Sequence, residues 1–121
     1  MSASPFADIL ERVVRALPGA RGAIFIDWEG EEVGSFVQSS DMEIRLVGAH
    51  WGIVFNLISK ALGRTGLGAP EEILLRFDDQ QVIIEQVDEG YIAVITMGTE
   101  ANLGRGMGLA RQASAQLRRE M

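Results

Sequence analysis

The segment ITMGTEANLGRGMG, residues 95–108, has the layout of a phosphate-binding loop, because it follows an apolar segment, collects glycines and leads into a helix. A Walker A loop also needs a lysine and a serine or threonine after its last glycine, and Arg105 and Gly106 stand there instead. The later glycines alternate, unlike the G-x-G-x-x-G spacing of dinucleotide-binding loops: Gly104, Gly106 and Gly108. The motif for nucleotide binding is therefore incomplete.

A structural role explains this segment better. Thr99 and Asn102 are both suitable N-caps for the helix that follows, because their side-chain oxygens accept hydrogen bonds from free backbone N–H groups. The glycines then allow that helix to lie close to the preceding strand. The sequence therefore predicts no cofactor here.

Two groups of acidic residues could bind a cation. The first surrounds an early turn: Asp27, Glu29, Glu31 and Glu32. Its spacing differs from that of an EF-hand, so we favour a solvated acidic turn over a calcium site. The second lies in two predicted hairpin turns, where Asp is common for conformational reasons: Asp78, Asp79, Asp88 and Glu89. No metal site and no paired-carboxylate catalysis is predicted.

Few other side chains could carry out catalysis. The chain has no cysteine and one histidine, His50, which excludes cysteine nucleophiles and multi-histidine metal sites. A catalytic or pH-sensing role for His50 is one interpretation; a hydrogen-bonding position beside a subunit contact is the one we favour. Arg64 lies in a glycine-rich loop, where it is either an arginine finger for phosphoryl transfer or, as we favour, an ordinary loop arginine. No catalytic residue is predicted, and we expect a protein that is not an enzyme.

Length and composition limit the class of protein. The 121 residues are enough for one domain, 1–121, with a hydrophobic core. The net charge of -6 disfavours nucleic-acid binding, which needs clustered lysines and arginines. No continuous apolar run is long enough to cross a membrane, and the N-terminus lacks the pattern of a secretion signal. We therefore expect no membrane insertion and a cytoplasmic location.

Hydrophobic periodicity predicts three helices and five strands in the order α-β-β-α-β-β-β-α. Ser4 and Pro5 begin the first helix, and Ser40 with Glu43 forms a capping box that begins a second helix running to about Leu62. Five short apolar segments are predicted strands: GAIFIDW, EEVGSFVQ, EEILLRF, QVIIEQV and YIAVITM. Because tight turns join most of them, the sheet is antiparallel and the fold class is α+β.

The second helix is unusual because its apolar arc covers more than half of its circumference, wider than one sheet face needs. The remaining face carries small and polar residues: Arg45, Gly48, Gly52, Asn56 and Ser59. One interpretation of two glycines four residues apart is close approach by another backbone or by a partner protein, and we weigh a contact between molecules equally with the alternatives. The alternative is that they are tolerated, or make room for a neighbouring loop. The apolar excess favours a dimer.

Two segments in this order resemble the roadblock (dynein light-chain) domain, of the bacterial MglB-like kind. The first is FADILERVVRALPGARGAIFIDWEGEEV, with Asp27-x-x-Gly30 at its hairpin, and the second is YIAVITMGTEANLGRGMGLAR. The resemblance implies a five-stranded antiparallel sheet between helices, with the first and last helices on one face. It also implies a homodimer in which the third strands pair into one continuous sheet and the second helices lie side by side.

The resemblance implies a non-catalytic protein that binds a small Ras-like GTPase, as a GTPase-activating partner or a scaffold. The alternative is a structural adaptor that tethers a larger complex without affecting GTP hydrolysis. A third hypothesis, a small-ligand sensor, would need an enclosed pocket. The residues expected at the contact with a second subunit or the GTPase are Arg45, Gly48, His50, Gly52, Asn56, Ser59, Ile73, Leu75 and Phe77.

Overall fold

The computed structural model describes residues 4–39 and 42–121, which form three helices and five strands in the predicted order. The elements are α1 (Pro5–Ala16), β1 (Ala20–Ile26), β2 (Glu32–Val37), α2 (Ile44–Gly63), β3 (Glu72–Arg76), β4 (Gln81–Asp88), β5 (Tyr91–Met97) and α3 (Leu103–Arg119). The predicted α+β class is confirmed.

The five strands form one antiparallel sheet in the order β2-β1-β5-β4-β3, so that β2 and β3 are its edges. The β1–β2 turn depends on two residues of the Asp27-x-x-Gly30 motif. The Asp27 carboxylate accepts hydrogen bonds from the backbone N–H groups of Glu29 and Glu31, at 2.9 and 3.0 Å. Gly30 has a φ of +84°, which glycine adopts without steric cost.

Alternate residues of each strand point to opposite faces of the sheet and form two apolar cores. On one face α1 and α3 cover a core that includes Phe25, Ile83 and Ile95. On the other face α2 covers a smaller core that includes Ile24, Ile84 and Phe55. The sheet therefore lies between helices, as the resemblance implied.

Capping hydrogen bonds define the N-terminal ends of α1 and α3. The hydroxyl of Ser4 accepts a hydrogen bond from the N–H of Ala7 at 3.2 Å, and Pro5 occupies the first helical position. Asn102, rather than Thr99, caps α3, since its side chain accepts from the N–H of Arg105 at 2.9 Å.

The start of α2 differs from the expectation. The helix begins at Ile44 rather than at Ser40, which lies outside the described residues together with Asp41. Glu43 is the N-cap residue and makes no side-chain capping hydrogen bond. Ile44 packs against the core beneath α2, so the helix begins at its first sheet-facing apolar residue.

The orientation of α2 corrects the expectation for its glycines. Gly48 is buried, and a Cβ added to it would lie 3.0–3.1 Å from atoms of the Ile24 and Ile26 side chains of β1. A Cβ on Gly52 would lie 2.9 Å from Ile26. The glycine face is therefore the sheet-facing side of α2 within this subunit. It allows the helix to approach β1, and it turns several larger side chains away from the core.

We expect Gly48→Leu to destabilise the protein by about 1–3 kcal/mol, because overpacking would force α2 away from β1. Urea unfolding measures the change. Gly108→Leu is the matched control: Gly108 is also inside a helix, but a Cβ there meets nothing within 4 Å. The control should be stabilised by about 0.5–1 kcal/mol through helix propensity. Equal stability of the two variants would contradict this account of how α2 is seated.

Candidate interaction surface

Three large apolar side chains of α2 point into solvent. Leu46, Ile53 and Leu57 have exposed fractions of 67%, 63% and 62%. Because they are seven and four residues apart, they form one stripe along the side of α2 opposite the sheet. Complete burial of each such side chain contributes about 1.5–3 kcal/mol. We call these three residues the outer stripe; they form an apolar surface that the described residues of this subunit leave uncovered.

A second apolar surface lies on the flank of α2 directed towards β3. The ring of Trp51 contacts that of Phe77, just after β3, with ring centroids 5.9 Å apart. Helical spacing places three partly buried residues on the same flank: Val47, Val54 and Ile58. We call these three and Trp51 the inner flank. The wide apolar arc of the sequence thus divides into a flank beside β3 and an outward-facing stripe.

The pairing of β3 with β4 determines which backbone groups of β3 face the open edge of the sheet. The N–H of Phe77 donates to the carbonyl of Gln80 at 2.7 Å, and Glu71 accepts from the N–H of Gln86 at 2.9 Å. Hydrogen-bonded pairs alternate along an antiparallel ladder, so the odd-numbered residues of β3 bond to β4. The even-numbered residues direct N–H and C=O groups to the open edge: Glu72, Leu74 and Arg76.

This alternation refines the expected strand seam. Ile73 and Leu75 pack their side chains against the core beneath α2, and Phe77 follows the strand and is partly exposed. The residues whose backbone groups face the open edge are therefore the intervening ones, which sequence reasoning missed. The two-residue turn at Asp78-Asp79 could have identified these residues from the sequence, because the length of a hairpin turn determines which residues of β3 hydrogen-bond to β4.

The structure separates the other expected site residues. Arg45 is exposed and donates to the Glu32 carboxylate at 2.9 Å, and His50 is exposed with its ring edge-on to Trp51 at 5.2 Å. Three residues come together and line a groove: Gly52, Asn56 and Ser59. The residues expected at the contact therefore lie in four places: the outside of α2, its sheet-facing side, the groove, and β3 with the turn that follows it.

The groove is a cavity of about 320 Å³ between α2 and the turns that follow β1 and β4. Ile26, Phe55 and Ile92 belong to its apolar lining. Trp28, with an exposed fraction of 68%, stands at its border. Because exposed residues border the cavity, it opens at the surface and lacks the enclosure that a small-ligand sensor would need.

The glycine-rich segment before α3 directs its polar groups to its own chain. The side-chain amide of the buried Gln81 donates to the carbonyls of Gly98 and Ala101, at 3.1 and 3.2 Å. The N–H of Gly98 donates to the carbonyl of Gly19 at 2.9 Å. Gly106 lies so close to the core that a Cβ would be 3.2 Å from Ile83. These contacts support the structural role of the segment.

The acidic turns form no metal-binding group within residues 4–39 and 42–121: no set of three or more His, Cys, Asp or Glu side chains there could hold an ion. The Asp27 carboxylate is used to fix its own turn, as described above.

Length and composition alone would allow α2 to cross a membrane, and 17% of its most apolar window is buried in the domain. One such helix is weak evidence of a membrane span. In this structure α2 packs on a sheet, and the absence of membrane insertion stays a prediction.

A pair of carboxyl groups lies beneath the open edge of β3. Glu85 of β4 is 6% exposed, and it lies directly opposite Glu72 of β3 in the strand register. The guanidinium of Arg111, on α3, donates to both oxygens of Glu72 at 2.8 and 3.0 Å. Oε2 of Glu85 is buried and has no hydrogen-bond partner among the described residues.

These surroundings shift the two pKa values in opposite directions. Burial, followed by the hydrogen bond with Glu72 and the charge of that group, raises the pKa of Glu85 from 4.5 to about 8. The hydrogen bond from Arg111, followed by that from Glu85, lowers the pKa of Glu72. Glu85 therefore keeps its proton to a higher pH than an ordinary carboxyl group, while Glu72 is held ionised beside Arg111.

The raised pKa of Glu85 makes stability fall as pH rises. Between about pH 4.5 and 8 the folded state holds a proton that the unfolded state has lost, so the contribution is complete below pH 4.5 and is lost as pH passes 8. Glu72 acts in the opposite sense: its lowered pKa gives a contribution that is present above the unfolded pKa and lost in acid.

We expect Glu85→Gln to remove the alkaline part of this dependence, because Gln keeps a donor towards Glu72 and has no proton to lose. At pH 9 its melting temperature should exceed that of the wild type by about 5–10 °C, and at about pH 4 the two should agree. Calorimetry at both pH values measures the difference. Glu120→Gln, at the exposed end of α3, is the control. Parallel curves for wild type and Glu85→Gln would contradict the assignment.

Comparison with known proteins agrees with this fold. The family model described as the Roadblock/LC7 domain matches residues 6–96, from α1 to the last strand, and α3 lies beyond the match. No curated protein matches the chain by sequence.

Several solved structures are similar over nearly the whole chain. Myxococcus xanthus MglB gives a TM-score of 0.89 at 12% identity, covering 99% of this chain and 97% of that one. A Roadblock/LC7 domain from Streptomyces avermitilis gives 0.85 at 15% identity, covering 94% and 95%. A structure described as MglB with tetrameric arrangement gives 0.86 at 17% identity, covering 94% and 85%. At these identities the likeness shows the fold.

Proposed function

Because the chain belongs to the Roadblock/LC7 domain family, we propose that it is a homodimeric protein that binds and regulates a small Ras-like GTPase. Roadblock/LC7 proteins are generally non-catalytic adaptors, and the likeness to MglB points to regulation of a GTPase. The observation that carries the proposal is the uncovered apolar surface of α2 beside the unpaired edge of β3.

The open edge of β3 is suited to pair with its own copy. Antiparallel pairing about a twofold axis at Leu74 places Leu74 opposite itself, as a hydrogen-bonded pair whose groups both face the edge. The same register places Glu72 opposite Arg76 of the second subunit, so that opposite charges face each other twice. A continuous ten-stranded sheet results. Self-association of this fold is also described for a similar protein, MglB in its tetrameric arrangement.

The inner flank of α2 is directed towards the β3 side of the sheet, and its Trp51 contacts Phe77 in the turn after β3. In the proposed dimer the two α2 helices lie on the same side of the continuous sheet, and their inner flanks face each other across the seam. The outer stripes point away from the sheet and stay accessible. Two stripes side by side form an apolar platform, which we assign to the GTPase.

The regulation we propose is a shift of population. The platform binds the switch segments of the GTPase more tightly in one arrangement than in another, and the difference in affinity favours that arrangement. The catalytic groups then belong to the GTPase. Arg64 is exposed in the loop after α2, and it has no role in this mechanism.

The second candidate function is a structural adaptor, which would use the same surfaces without affecting the GTPase. GTP hydrolysis and nucleotide affinity of a small Ras-like GTPase that binds this protein, measured with and without the protein, distinguish the two. A changed rate or affinity supports regulation. Binding without any change supports the adaptor.

Leu74→Pro should convert the dimer to a folded monomer. Proline removes the N–H that faces the open edge, and an edge strand tolerates it because that N–H makes no bond within the subunit. Sedimentation velocity measures the mass, and circular dichroism verifies the fold. Leu74→Ala keeps the N–H and should stay dimeric. A dimeric Leu74→Pro variant would show that the seam is elsewhere.

Leu57→Asp should leave the dimer intact and weaken GTPase binding by about 100-fold, since it places a charge in the centre of an apolar contact. Titration calorimetry with the same small Ras-like GTPase measures the affinity. Leu67→Asp is the matched control, because Leu67 is also an exposed leucine, in the loop after α2. Equal affinities for the two variants would contradict the assignment of the outer stripe.

A further inference from the structure

The groove lies on the flank of α2 opposite the inner flank, and it extends towards the start of β3, because Ala69 and Gln86 also line it. Asn56 lines it, whereas Trp51 points to the other side of the helix and contacts Phe77. Contacts made by the inner flank therefore leave the Asn56 side of α2 accessible. Ile53 belongs both to the groove and to the outer stripe, so the groove continues the apolar surface of α2 towards the turns after β1 and β4.

The size and lining of the groove suit a side chain of another protein. A volume of about 320 Å³ is at the lower limit of ordinary ligand sites, and it accommodates one or two large side chains. The apolar floor of Ile26, Phe55 and Ile92 favours an aliphatic or aromatic group. Trp28, with most of its surface in solvent, adds an exposed aromatic face at the border.

The charges around the groove all have one sign. The lining includes the acidic residues Asp27, Glu29 and Glu89, and it includes no Lys, Arg or His. Glu29 and Glu89 lie in two different turns, and both are exposed. Carboxylates around an apolar cavity favour cationic groups on either side of the inserted side chain. The exposed ring of Trp28 favours the same groups, because cations are attracted to an indole face.

We propose that this groove docks a basic segment of a partner protein, with one or two apolar side chains in the cavity and flanking Lys or Arg side chains against Trp28 and the acidic turns. The interaction needs no GTPase. It gives the protein a second binding site per subunit, which adjoins the outer stripe at Ile53.

The test uses the full chain and four synthetic peptides labelled with a fluorophore. The basic-apolar probe is GRKLFKRG. The others replace one feature each: GSSLFSSG lacks the charges, GRKSSKRG lacks the apolar pair, and GEDLFDEG reverses the charges. Fluorescence anisotropy should give an affinity for the probe that is at least about tenfold tighter than for each of the others, and that falls as salt rises.

Variants of the groove locate the binding. Trp28→Ala should weaken probe binding by about tenfold, and the double variant Glu29→Lys with Glu89→Lys by at least as much. The double variant Glu11→Lys with Glu120→Lys has the same net charge and should bind like the wild type, since both residues lie on α1 and α3, across the sheet. Thermal unfolding verifies that each variant is folded.

Three results would overturn the proposal. The first is that the neutral peptide GSSLFSSG binds as tightly as the probe. The second is that the groove variants bind the probe as tightly as the Glu11 and Glu120 variant does. The third is that Trp28→Ala changes the mass in sedimentation, which would identify a second copy of this chain as the occupant. Leu57→Asp should bind the probe normally, so loss of the GTPase interaction and loss of peptide docking are separate outcomes.

Discussion

The close approach of α2 to β1 determines which surfaces this protein presents. Helices pack on sheets through side chains, and here Gly48 and Gly52 occupy the contact with Ile24 and Ile26. Small residues at this contact bring the helix axis close to the sheet. They also leave the sheet-facing side of α2 with little apolar area. Leu46, Ile53 and Leu57 of the outer stripe lie in solvent instead. Burial of that exposed apolar area is the driving force for the associations that we propose.

The β3 edge adds a second constraint. Edge strands of soluble proteins are usually protected against pairing, because open N–H and C=O groups favour association. β3 is short. Beneath it Glu72 lies opposite Glu85, whose pKa is raised by burial, and Arg111 of α3 donates two hydrogen bonds to Glu72. The polar cluster thus joins the edge strand, its neighbour and a helix on the opposite face from α2. It stabilises the edge while leaving the backbone groups of Leu74 open.

The two flanks of α2 give this surface a division of roles in our proposals. The inner flank and the β3 edge serve the second subunit, the outer stripe serves a GTPase, and the groove on the far flank serves a basic segment. A single helix can contribute to three contacts because its side chains are distributed around 360°, and the sheet uses only the sector that holds the glycines. By contrast, backbone carbonyl groups of the glycine-rich segment before α3 accept hydrogen bonds from Gln81 within the same chain.

The sequence by itself determined the element order, the antiparallel sheet, the cap at Ser4 and the apolar excess of α2, because these follow from local periodicity and turn chemistry. It left two candidates for the cap of α3, and the structure selected Asn102 over Thr99. The sequence could not determine which side of α2 faces the sheet. An apolar arc normally faces the core, and that expectation placed Gly48 and Gly52 on the outside of α2. In the folded chain the two glycines face the sheet, because they allow α2 to pack closest to β1. Only the folded chain brings together Asn56, Trp28 and Glu89, or opposes Glu72 with Glu85, since these contacts depend on strand register and on the rotation of a helix about its axis.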